Sequence, residues 1–248
     1  MQATGSELGR PFKDVFFKAG DGVELNGWLF PANANSPRAR WALLYCHGNA
    51  GNISTRLGIY AAMLETGVSL FSFDYRGYGL SRGKPSEEGT YRDAIAACQW
   101  LRNNGFAGEN IIAFGESLGG GIASELALRQ PLGGLVLQST FTTAPELGAE
   151  LFPWLPVRLL STIKYDTRRR LPQLKIPVLI MHSRTDDLIP FHHAQQNLAA
   201  ANEPKLFREL DGGHNDALGD GTKFIGGLEQ FLSLLSSANA PGHGQSPR

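Results

Sequence analysis

Apolar and polar positions change rhythm along the chain. Residues 14–19 and 23–30 alternate, with Gly20-Asp21-Gly22 between them. Alternation with period two marks strands that bury one face, and Asp-Gly between such runs marks a hairpin turn. From Trp41 onward the texture differs, with short apolar runs at 41–46, 68–73, 110–114, 135–137, 177–181 and 205–210. Such runs fit strands buried on both faces, the usual condition of a parallel sheet. Helical spacing fills the gaps at 54–65, 86–103, 118–129, 191–200 and 223–235. Strand–helix alternation after an opening hairpin predicts a doubly wound α/β sheet with helices on both faces.

Residues 139–171 break this alternation. They carry Phe141, Pro145, Phe152, Pro153, Trp154, Leu155, Pro156, Leu159 and Leu160. That is too long and too apolar for a plain connection, and long connections in compact domains serve as lids or binding loops. A helical excursion packed on the body is the plainer alternative. The expected organisation is one domain over 1–235, with 140–171 as a lid-like segment. Residues 236–248, rich in Ser, Pro and Gly, are expected to form a disordered tail.

Composition narrows the function classes. A chain of 248 residues with 42% hydrophobic content can bury a full core. Lys+Arg and Asp+Glu both count 23, so no basic footprint points to nucleic acid or to an anionic membrane. Cys46 and Cys98, the two cysteines, sit in apolar or helical contexts and read as buried thiols rather than a disulfide framework. No run approaches the roughly 18 apolar residues of a membrane span. Residues 1–11 lack the basic-then-apolar order of a signal peptide. As given, the chain is expected in the cytoplasm.

Gly115-Glu116-Ser117-Leu118-Gly119 matches Gly-x-Ser-x-Gly. The motif is short, and its setting carries the weight: it follows the apolar run Ile111-Ile112-Ala113-Phe114 and opens a helical pattern. In a strand–turn–helix of this kind the serine occupies a strained turn that exposes its hydroxyl, and the glycines let strand and helix approach. The helix N-terminus then favours developing negative charge.

A serine hydroxyl needs a base. Of six histidines, His214 stands out in Asp211-Gly212-Gly213-His214-Asn215-Asp216, just beyond an expected strand. Ligand sites of open α/β sheets lie at the carboxyl ends of strands. His243 falls in the tail, the adjacent His192 and His193 diverge, and His182 ends a strand. Asp186 and Asp187 follow another strand, and one of them must hold the imidazole tautomer. Asp186 is preferred, with Asp187 capping the turn that leads to Pro190. The order Ser117, Asp186, His214 is the one this elbow requires. Acyl transfer also needs oxyanion donors, assigned to the backbone N–H groups of Leu118 and Asn49. His47 organises the loop of Asn49. No residue cluster shows metal-ligand spacing, and no cofactor is expected.

Five motifs in order resemble the α/β-hydrolase superfamily: Tyr45-Cys46-His47-Gly48-Asn49-Ala50-Gly51-Asn52, Phe73-Asp74-Tyr75-Arg76-Gly77-Tyr78-Gly79, residues 115–119, Asp186-Asp187-Leu188-Ile189-Pro190 and Gly213-His214-Asn215. More narrowly, they are similar to the branch often called Bem46-like, which includes bacterial hydrolases and eukaryotic ABHD-type proteins. The resemblance runs from about Phe12 to Leu235. It implies an α/β-hydrolase fold with a mostly parallel eight-stranded sheet. It gives Asp74 and Arg76 a structural loop rather than a catalytic role. Eukaryotic relatives include depalmitoylases, which brings acyl thioesters into view, although this chain has no Cys-rich N-terminus. Bacterial relatives carry an N-terminal anchor, and a segment lost ahead of Met1 would place the protein at a membrane or in the periplasm.

The leading expectation is a serine hydrolase acting on small-molecule carboxylic esters through Ser117, His214 and Asp186. Phe141, Phe152, Trp154 and Leu155 are expected to line the acyl pocket. An acyl-protein or acyl-thioester thioesterase and a peptidase use the same parts. A non-catalytic binding protein of this fold is the reading from another class. Oligomeric state is not legible.

Overall fold

A computed structural model describes residues 3–219 and 221–238 of the chain. Its eight strands are β1 (Lys13–Lys18), β2 (Glu24–Phe30), β3 (Ala42–Cys46), β4 (Ser69–Phe73), β5 (Ile111–Glu116), β6 (Gly134–Gln138), β7 (Val178–Ser183) and β8 (Lys205–Leu210). They form one sheet in the order β1-β2-β4-β3-β5-β6-β7-β8. The β1–β2 hairpin pairs antiparallel with itself and with β4, and every later pairing is parallel. This is the α/β-hydrolase fold that the motifs imply. The order reverses between β3 and β5, so the loops leaving these two strands meet over the sheet, where open α/β folds place their ligands.

Helices α1 (Leu57–Glu65), α2 (Glu87–Asn103), α3 (Leu118–Arg129), α7 (His192–Ala200) and α8 (Thr222–Ala238) cover the two faces. The period-two geometry of β3 divides its side chains between two cores. Ala42, Leu44 and Cys46 join Ala94, Cys98, Ile122 and Leu126 of α2 and α3. Leu43 and Tyr45 join Tyr60, Met63, Phe224 and Phe231 of α1 and α8. All of β3, β4, β6 and β7 is buried, which explains why these strands read as runs rather than alternations. Cys46 and Cys98 are buried and unbridged.

The break in the alternation at 139–171 becomes three short helices: α4 (Ala144–Leu151), α5 (Val157–Leu160) and α6 (Thr167–Arg170). Thr143 caps α4 by accepting the Glu146 N–H at 3.1 Å, and the Ala144 N–H donates to the Lys164 carbonyl at 2.8 Å, closing the segment's two ends. Residues 236–238, expected to open the tail, belong instead to α8, which runs to Ala238; residues 239–248, His243 among them, lie outside the described residues. Among the described residues, no helix is long and apolar enough to cross a membrane.

The hairpin turn is tied to the body through charge. Arg76 donates to Asp21 at 2.8 Å and to the fully buried Asp93 at 2.8 Å. The hydrogen bond from Arg76 lowers the Asp21 carboxyl to about 2. Its folded value lies below the unfolded one, so its contribution to stability is present above about pH 4 and is lost as pH falls toward 2. Asp21→Asn therefore lowers the urea midpoint at neutral pH, and the variant and wild-type curves converge as pH approaches 2. Curves that stay parallel down to that pH contradict the linkage.

Candidate active site

Ser117 is the single residue between β5 and α3, with φ 53° and ψ −117°. A non-glycine residue in that region costs on the order of 1–3 kcal/mol, and the surroundings must hold it there. Its N–H donates to the Gln138 carbonyl at the end of β6 at 2.9 Å. The motif glycines are steric requirements. A Cβ at Gly119 would sit 1.9 Å from the Cys46 carbonyl oxygen, and one at Gly115 would sit 2.5 Å from that of Gly119. Strand β3, strand β5 and helix α3 therefore close on each other at a distance only glycine permits.

The loop after β8 brings His214 to this turn. Its Nε2 lies 3.1 Å from Ser117 Oγ, and its Nδ1 lies 2.9 and 3.1 Å from the two carboxylate oxygens of Asp186. An ionised carboxylate only accepts, so Nδ1 carries the proton and Nε2 is left to accept from the Ser117 hydroxyl. Burial pushes the Asp186 carboxyl up, but hydrogen bonds from His214 and from the Ile189 and Leu188 N–H groups outweigh it and hold it below the ordinary value. His182 packs behind, 3.4 Å from Asp186 and with its Nε2 directed at the Ile189 carbonyl at 2.8 Å. Burial lowers its imidazole below the usual range, so this neighbour is a neutral ring.

Asp187 does not cap the turn toward Pro190 as expected; Asp186 Oδ1 does so, while Asp187 accepts the His214 backbone N–H at 2.8 Å. The two adjacent acids thus hold the side chain and the main chain of the same histidine. Asp74 accepts the Ile53 N–H, and Arg76 binds Asp21 and Asp93, so both act in loop structure. His47 is buried against Tyr75, 4.4 Å between ring centroids, beneath the loop of Asn49.

Ser117, Leu118 and Asn49 line one cavity of about 610 Å³. As the first residue of α3, Leu118 has an N–H without an acceptor inside the helix. The Asn49 side chain is held by the Tyr78 hydroxyl, which donates to its Oδ1 at 2.7 Å. Of the four residues expected to line an acyl pocket, Phe141 and Phe152 border this cavity, whereas Trp154 and Leu155 do not. Trp154 is 73% exposed and touches the cavity only through Phe152, on which its ring packs edge-on at 5.7 Å. Pro153 and Pro156 flank the pair in a turn that directs them outward. The other apolar walls are Leu147, Leu151, Ile163, Tyr165, Leu188 and Ile189. Leu147 and Leu151 are one helical turn apart on α4, a spacing that identifies one face, yet no sequence signal says which face looks inward.

One metal-like cluster escaped sequence spacing: Glu150, His192 and His193 place ligand atoms within 4.8 Å of one another. The Thr142 N–H donates to His193 Nδ1 at 3.2 Å, which puts the ring proton on Nε2, the atom 3.5 Å from Glu150. That nitrogen has no lone pair to offer a cation. The cluster fits a polar tie between α4 and α7 better than a metal site.

Comparison with known proteins supports the α/β-hydrolase superfamily. A family described as serine aminopeptidase S33 matches residues 37–168, a span that includes the Ser117 turn and stops before Asp186 and His214. An uncharacterised protein of Mycobacterium tuberculosis is 40% identical over 224 residues, covering 89% of this chain and 79% of its own. The α/β-hydrolase domain-containing protein WAV2 of Arabidopsis thaliana is 30% identical over 233 residues, covering 85% and 74%. Among solved structures, an esterase of Pyrococcus furiosus superposes with a TM-score of 0.76 at 20% identity, covering 94% of each chain. An esterase of Exiguobacterium antarcticum superposes with a TM-score of 0.67 at 19% identity, covering 90% of this chain and all of its own. At such identities the likeness concerns the fold.

The steric argument at the turn has a direct consequence. Gly119→Ala drives a methyl group into the Cys46 carbonyl and should destabilise the protein by at least about 2 kcal/mol, read as a lowered urea midpoint. An unchanged midpoint contradicts the close approach.

Proposed function

The chain belongs to the serine aminopeptidase S33 family of α/β hydrolases, and from that premise we propose that it is a serine hydrolase cleaving carboxylic esters of apolar acyl groups. The observation that carries this reading is the unbroken chain Asp186–His214–Ser117 ending at the wall of the apolar cavity. Ser117 Oγ attacks the acyl carbonyl as His214 Nε2 takes its proton. The oxyanion forms between the N–H groups of Leu118 and Asn49. The bond to the leaving oxygen then breaks, and His214 returns the proton to that oxygen. Water, activated by the same imidazole, releases the acyl group from Ser117. Asp186 stays ionised throughout, orienting the ring and stabilising the imidazolium.

In this reading residues 1–235 act as one catalytic unit, and 140–171 form the cover of the acyl pocket. Leu147, Leu151, Phe141 and Phe152 supply apolar contact, which favours an acyl chain over a polar group. Removal of an N-terminal amino acid, the activity in the family's description, calls for a carboxylate free to bind an ammonium group. Glu87 lines the cavity, but its oxygens already accept from the Lys164 N–H at 2.6 Å, the Tyr165 N–H at 2.8 Å and the Tyr91 hydroxyl at 2.5 Å. The ester reading is therefore favoured over the aminopeptidase one.

Hydrolysis of p-nitrophenyl esters of increasing chain length tests the proposal. Ser117→Ala should lower turnover by about a thousandfold or more, because the three side chains act as a unit; full activity in that variant overturns the assignment. Leu147→Trp should shift the preferred acyl chain to shorter lengths at similar turnover. An unchanged length profile removes α4 from the pocket wall.

A further inference from the structure

Among the described residues eleven large apolar side chains are exposed, and seven of them lie between Leu151 and Ile163. No residue of α4 or α5 is buried. Trp154, Leu159 and Leu160 stand out furthest, at 73%, 87% and 68% exposed. They belong to one compact piece of chain. The Leu155 N–H donates to the Phe152 carbonyl at 3.0 Å, and the Leu159 N–H to the Pro156 carbonyl at 2.9 Å. Helix α5 packs on α4 so closely that a Cβ at Gly148 would lie 2.8 Å from Val157 Cγ1. Single apolar side chains at a surface are ordinary; a cluster of this kind marks a place where another apolar body docks.

The charges around the cluster decide what that body is. From Leu151 to Tyr165 the chain carries Arg158 and Lys164 and no acidic residue. Neither cation is paired with a carboxylate among the described residues, and Glu150, at the edge, is taken up by His192 and His193. The balance of 23 basic and 23 acidic residues over the whole chain conceals this local excess. A second copy docking through a two-fold axis would set the patch against itself, basic group toward basic group with no acid to offset them. An anionic lipid surface supplies the missing negative charge. It also offers an apolar layer for the leucines and the headgroup level that tryptophan prefers.

We propose that residues 151–164 are a docking surface for an anionic lipid–water interface. Trp154, Leu159 and Leu160 insert into it, and Arg158 and Lys164 stay among the headgroups. The long aliphatic stems of the two cations let their charges remain at that level while the apolar side chains sink deeper. The face is continuous with the larger cavity, because Leu151, Phe152, Ile163 and Leu188 are exposed and also line it. Docking therefore turns the cavity toward the acyl layer of the lipid. On the ester-hydrolase reading, an apolar acyl substrate then reaches Ser117 without crossing water. The docking itself does not depend on that reading.

Flotation of the full chain with vesicles of phosphatidylcholine, with and without about 30% phosphatidylglycerol, tests the proposal. The wild type should float with the anionic vesicles and partition at least about tenfold less onto the neutral ones, since each cation near an anionic surface contributes about fivefold. Arg158→Gln should lower partitioning by about fivefold, and Leu159→Glu combined with Leu160→Glu by at least about tenfold. All three positions are exposed, so the variants should keep the wild-type urea midpoint. Lipids brominated along their acyl chains should quench tryptophan emission, and Trp154→Phe should remove that quenching, because Trp28 and Trp41 are buried and Trp100 stacks on Phe71. Ser117→Ala should bind vesicles like the wild type, which separates docking from catalysis. No flotation with anionic vesicles, or flotation that the double variant leaves unchanged, overturns the docking surface while the esterase reading stands. A dimer that the same double variant dissociates, in protein that does not float, assigns the face to a second copy and overturns lipid docking.

Discussion

The structure turns on one contact: the start of α3 lies against the end of β3, with the Gly119 backbone at the Cys46 carbonyl. That approach forces the chain from β5 to α3 through a single residue, and the single residue is Ser117, held at positive φ. Everything placed around the serine follows from it. The loop after β3 is brought over the turn and supplies Asn49; the helix start supplies Leu118; the end of β6 accepts the Ser117 N–H. The strain at Ser117 is offset by two buried cores that leave β3 and β5 no room to shift.

A second constraint is the pairing of adjacent acids with one histidine. Asp186 holds the ring and Asp187 the backbone of His214, so a glycine-rich loop is fixed at two points. Gly213 permits this, since a Cβ there would lie 2.8 Å from Asp187 Oδ1. The Ser117–His214–Asp186 geometry thus rests on loops at strand ends of the sheet, while residues 140–171 are tied down separately through Thr143, Lys164 and the Glu150–histidine contacts. Under the proposed function, positioning and coverage fall to different parts of the chain, which lets the pocket wall vary without disturbing these three side chains.

Much of this was legible in the residues. Strand and helix periods gave the elements to within a few positions, because the buried strands are apolar on both faces and the helices are not. The Ser-Asp-His order and the glycine setting singled out the three residues that the structure brings into hydrogen-bond contact. What sequence could not supply was direction. Phe152, Trp154 and Leu155 are alike apolar and all three are exposed, yet only Phe152 borders the cavity, which no spacing in the sequence foretells. Arg56, Glu116 and Gln138, which line a small cavity with His214, lie on three different elements with no shared spacing, so their convergence depends on sheet order alone. The same holds for Glu150 and His193, 43 positions apart in the chain and 3.5 Å apart in the fold.

The central claim is that Ser117 is a nucleophile activated by His214. Its most direct test is the mass of the intact protein after exposure to a fluorophosphonate, followed by peptide mapping. The account predicts one adduct per chain, on Ser117, formed far more slowly in His214→Ala. Folded protein that takes no adduct, or takes it on another residue, contradicts the claim.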